Sequence, residues 1–127
     1  VNTDLPQLVA AAADLCRKPL RHAVLWVDPS EPPNTWTALE DCCLRLQVRS
    51  AEGERLPQED LELEIYRSAG SLNLTLAWRE DEGRPMLWHG SHPVWMESAS
   101  GLRCERPADG QPLEALARRL RALLEAA

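Results

Sequence analysis

Between Leu61 and Trp78 apolar and polar residues alternate. Leu61, Leu63 and Ile65 are interleaved with Glu62, Glu64 and Tyr66; after a short break, Leu72, Leu74, Leu76 and Trp78 are interleaved with Asn73, Thr75 and Ala77. Two consecutive runs with a period of two predict a β-hairpin with one dry and one wet face. The turn falls on Ser68, Ala69, Gly70 and Ser71. Setting Arg67 opposite Leu72 brings Ile65 opposite Leu74 and Leu63 opposite Leu76, and a one-residue slip would put those leucines in water.

The same alternation predicts a strand over Cys42–Arg49, with Cys42, Leu44, Leu46 and Val48 on one side and Cys43, Arg45, Gln47 and Arg49 on the other. If it pairs antiparallel with residues 61–67, Arg45 and Arg49 meet the row Asp60, Glu62, Glu64. Upstream, His22–Asp28 reads as a strand. Its unbroken run Ala23–Val27 suggests cover on both faces. The segment PSEPPNTWTA that follows is a proline-rich loop ending near Trp36. Downstream, PMLWHGSHPVWME predicts a shorter hairpin about Gly90 and Ser91, with Gly90 suited to a type II′ turn. In that two-residue hairpin His89 and His92 stand opposite each other and share a face with Leu87 and Val94. Met86, Trp88, Pro93 and Trp95 take the other. Leu102–Glu105 is a candidate edge segment.

Both ends read as helices. Over residues 4–17, Leu5, Leu8, Val9, Ala12, Leu15 and Cys16 recur every three or four positions. Thr3 is the expected N-cap, Arg17 and Lys18 suit the negative end of the helix dipole, and Pro19 stops the helix. Over residues 112–126, Leu113, Leu116, Ala117, Leu120, Leu123 and Leu124 form one stripe behind Pro112. Strands between terminal helices predict an α+β fold. The expectation is a mostly antiparallel sheet of about five or six strands, with the N-terminal and C-terminal helices packed on one face. Residues 1–127 are expected to form one domain.

Composition narrows the function classes. The chain has 127 residues, 44% apolar and 27% charged, as globular proteins do. No apolar run approaches the ~20 residues of a membrane helix, and no leader pattern opens the chain. A net charge of -6 opposes nucleic-acid binding and docking on anionic lipid. Cys16, Cys42, Cys43 and Cys104 form no CxxC pair, so reduced thiols and a cytoplasmic setting are expected.

Catalytic motifs are missing: no GxSxG, HExxH, P-loop or GxGxxG occurs. The acidic pairs Glu40-Asp41, Glu59-Asp60 and Glu80-Asp81-Glu82 lie in polar turns and read as solvated charge. His89 and His92 supply only half of a tetrahedral metal shell, so no metal or cofactor is assigned. Five tryptophans in a chain this short are its most distinctive side chains. Trp36, Trp88 and Trp95, with His89 and His92, form the expected partner-binding set, since aromatic anchors dominate interfaces. The sequence thus points to a non-catalytic protein-interaction module, an adaptor or assembly factor binding another protein or a second copy of itself. A pocket for a small apolar ligand between sheet and helices is the second reading, and an enzyme with a histidine base the third.

Overall fold

A computed structural model of the protein describes residues 4–27, 41–81 and 83–126. Helix α1 (Leu5–Cys16) leads into strand β1 (Arg21–Trp26) and then β2 (Asp41–Arg49). A 3-10 turn, Pro57–Glu59, precedes β3 (Leu61–Ser68) and β4 (Ser71–Trp78). Strands β5 (Met86–His89), β6 (Pro93–Met96) and β7 (Arg103–Cys104) follow, and α2 (Gln111–Ala126) ends the chain. The strands form one seven-stranded antiparallel sheet in sequence order, each pairing with the next. The fold is α+β. The sheet has one strand more than the five or six expected; the seventh is only two residues long and falls within the candidate edge segment Leu102–Glu105.

The central hairpin has the expected register: Arg67↔Leu72, Ile65↔Leu74 and Leu63↔Leu76. Its two-residue turn places Ala69 at φ 53 and Gly70 at φ 81, the paired positive values of a I′ turn, which matches strand twist. Arg45 faces Glu62 across β2 and β3, with a contact of 3.4 Å. Arg49 lies beyond that ladder and donates to the Gly53 carbonyl instead.

Leucines make the core. Leu44, Leu46, Leu61, Leu63, Leu74, Leu76 and Leu87 project from one sheet face. Leu5 and Val9 of α1 meet them, as do Leu113, Leu116 and Leu120 of α2, in a single cluster. Both helices therefore lie on the same face. The N-cap of α1 is Asp4, whose carboxylate accepts from the Gln7 amide at 3.3 Å; Thr3, expected there, lies outside the described residues. Arg17 is not a solvated charge at the helix end but turns inward and is buried.

Strand β1 differs from expectation. Its run of apolar residues predicts cover on both faces, yet burial alternates along it, and Leu25 is 50% exposed. β1 is an edge strand, and among the described residues helix covers only one of its faces.

The β5–β6 hairpin differs too. The pairs are Met86↔Met96, Leu87↔Trp95, Trp88↔Val94 and His89↔Pro93, leaving a three-residue loop, Gly90–His92. His89 and His92 are therefore not opposite each other. His89 points into the core with Leu87 and Trp95, and Trp88 points out with Met86, Val94 and Met96. Gly90 has no positive φ, so it does not serve a II′ turn. A Cβ at Gly90 would stand 2.6 Å from the Trp88 ring and 2.9 Å from Asn73 Oδ1, so close approach demands the glycine. The longer loop wins because it buries Trp95, which is 4% exposed.

Candidate functional site: the open face of the sheet

Among the described residues no helix covers the second face of the sheet, and its composition changes across the strands. Over β2 and β3 it is charged, with Arg45, Glu62 and Glu64, and Arg79 at 4.0 Å from Glu62. Over β4 to β6 it turns apolar. Thr75 faces Trp88, Trp88 faces Val94, and Met86 faces Met96, with Tyr66 at the end of the adjoining row. All six are half-buried, so each offers surface while being held by its strand.

Trp88 organises this patch. Its Nε1 donates to Tyr66 Oη at 2.8 Å, and its ring edge packs over Gly90 beside Asn73. The indole is thus fixed on both sides. An aromatic held in one rotamer loses little entropy when a partner covers it.

The residues singled out in the sequence do not form one site. Trp88 lies on the open face, and His92 is exposed in the loop at its rim. Trp95 and His89 are on the core side. Trp95 stacks on Trp78 with ring centroids 6.3 Å apart and donates from Nε1 to Glu114 Oε2 at 2.7 Å. The Arg84 guanidinium covers Trp78 at 3.6 Å from the ring centroid, so this cluster closes one end of the core. Trp36 falls outside the described residues. Tyr66, Met86, Val94 and Met96 were not singled out in the sequence: Val94 and Met96 join the face of Trp88 and Met86 only once the loop is three residues long, and Tyr66 belongs to a separate hairpin.

A buried polar network lies at the other end of the sheet. His22 Nδ1 is 2.9 Å from Asp14 Oδ1, and its Nε2 is 3.1 Å from Arg17 Nη1. Arginine can only donate, so Nε2 accepts and Nδ1 carries the proton. Arg17 also reaches Glu59 Oε1 at 3.1 Å. Next to it, Asp60 binds Arg55 through both oxygens and accepts the Val48 amide at 2.8 Å. With both ring nitrogens engaged, His22 is a structural group, not a poised base. His89 donates from Nδ1 to the Gly90 carbonyl, and its Nε2 is buried without a partner among the described residues.

These imidazoles give stability a pH dependence. Burial pulls both below the usual value of 6.5, against the Asp14 bond at His22 and the Gly90 bond at His89. The unfolded chain therefore binds more protons as pH falls through 6.5, so stability is full above that value and declines below it. Burial alone would raise Asp60, but Arg55, the Val48 amide and Arg79 outweigh it, so its contribution is lost only on acidification below 3.8. The melting temperature should fall from pH 7 to about pH 5, and His22→Gln should flatten that slope. A melting temperature constant across this range would contradict the assignment.

Among the described residues no group of three or more His, Cys, Asp or Glu is placed to hold a metal ion. No helix among them is long and apolar enough to cross a membrane. Cys16 and Cys104 carry free thiols. A family model described as Domain of unknown function (DUF8659) matches residues 6–123. The chain belongs to this family. The DUF8659 match runs from the first turn of α1 to the last turns of α2, so it takes in the whole sheet and its open face. No curated protein and no solved structure matches the chain.

Proposed function

We propose that this domain is a non-catalytic interaction module that binds another protein through the open face over β4 to β6. The observation that carries this reading is the contiguous patch of Trp88, Tyr66, Val94, Met86 and Met96 on a sheet face that no helix among the described residues covers. Tryptophan, tyrosine and methionine are the residue types enriched where proteins meet. The patch borders exposed Glu64, and the chain carries a net charge of -6, so a partner with basic residues around an apolar centre suits it.

Val94→Arg tests the reading. The side chain is half-exposed, so the charge should leave the melting temperature within a few degrees. Captured partners from native lysate, or a dimer seen by light scattering, should be lost in the variant. Retention of the same partners or the same oligomer by Val94→Arg would overturn the proposal, as would a wild-type chain that is monomeric and captures nothing.

A further inference from the structure

The helices present a second surface, opposite the open sheet face. Helix α2 buries Leu113, Leu116, Ala117, Leu120 and Leu124. It carries another row at helical spacing: Ala115, Arg119, Ala122 and Leu123. With Cys16 from the end of α1 and Arg118, this row lines an open cleft of about 530 Å³. Leu123 is 36% exposed there, and Leu15, the chain neighbour of Cys16, is 46% exposed. Ala115 and Ala122 are seven residues apart, about 10.5 Å or two turns along the axis. Small residues at that spacing leave room for another helix to lie close.

The charge at this cleft is opposite to that of the chain. Arg118 and Arg119 are exposed, and neither forms an ion pair among the described residues. Arg121 on the same helix is engaged, meeting Glu125 at 3.4 Å. Both arginines bear on the Cys16 thiol, pulling its pKa down against the burial that raises it, which sets their charge beside the apolar wall.

We infer that the cleft between α1 and α2 receives an amphipathic helix of a partner protein, its apolar stripe on Ala115, Ala122 and Leu123 and its acidic flanks on Arg118 and Arg119. This is the helix-in-groove mode of recognition, with the arginines setting the sign of the partner. The net charge of -6 repels anionic lipid, which favours a protein occupant over a bilayer. The inference does not depend on the sheet-face reading, because the two surfaces share no residue.

The test uses the whole chain and a fluorescent synthetic amphipathic helix with leucine along one stripe and glutamate on its flanks. A second peptide has lysine for every glutamate. In an anisotropy titration the acidic peptide should bind about tenfold tighter than the basic one, and salt should weaken it. Arg118→Glu/Arg119→Glu should reverse that order. Ala122→Trp, which fills the cleft and leaves the arginines in place, should abolish binding. Both changes are at exposed positions, and an unchanged melting temperature shows that the fold survives. Val94→Arg should bind the acidic peptide like the wild type. Equal binding of the two peptides, binding of neither, or binding unaffected by Ala122→Trp would overturn the inference. So would sedimentation with phosphatidylserine vesicles that the double arginine variant loses, which would assign the cleft to a lipid surface.

Discussion

Trp95→Ala should lower the free energy of unfolding by about 3–5 kcal/mol. The substitution removes the largest side chain at the β6 end of the core and leaves Trp78 without its stacking partner. It also strips Glu114, a buried carboxylate, of the indole bond and leaves it Arg106 alone. The site cannot collapse easily, because Gly110 already lies where a Cβ would stand 2.7 Å from the Trp95 ring. Urea denaturation measures the loss. Trp88→Ala on the open face is the comparison, and it should cost clearly less because that indole is half-exposed before the change. Equal losses at the two tryptophans would show that the hairpin faces are reversed.

Leu74→Ala should cost about 2–5 kcal/mol, whereas Thr75→Ala should cost about 1 kcal/mol or less. Leu74 is fully buried at the middle of β4, between Ile65 and His89. Thr75 is next in the chain but on the half-exposed face. The contrast between adjacent residues reads the parity of the strand directly. Similar losses would mean that the register over Leu61 to Trp78 is wrong.

That register was legible in the sequence for a definite reason. The alternation of apolar and polar positions over both strands permits one pairing, and the Ala69-Gly70 turn agrees with it. The hairpin over Met86 to Met96 had no such constraint. Its apolar residues stand at both parities, so two loop lengths satisfy the pattern. Only tertiary packing chooses between them, by stacking Trp95 on Trp78 and setting Gly90 against Trp88. The candidate site followed from that choice: Trp88 was identified, but its neighbours Tyr66, Val94 and Met96 come from two other strands and have no common spacing. The network of Asp14, Arg17, His22 and Glu59 was hidden for a similar reason. It joins α1, β1 and the 3-10 turn, and one of its bonds spans 42 positions.

The order of the strands in space is also their order along the chain. Each pairing from β3 onward therefore closes a short loop at small entropic cost, and the sheet can grow strand by strand outward from its best-specified hairpin. The contact between α1 and α2 is different, since it brings the two ends of the chain together. The longest loop closure of this fold is thus the meeting of the terminal helices, over a sheet whose strands pair with their neighbours in sequence. Stabilising that contact should slow unfolding more than it hastens folding, for an interaction formed late is absent from the transition state.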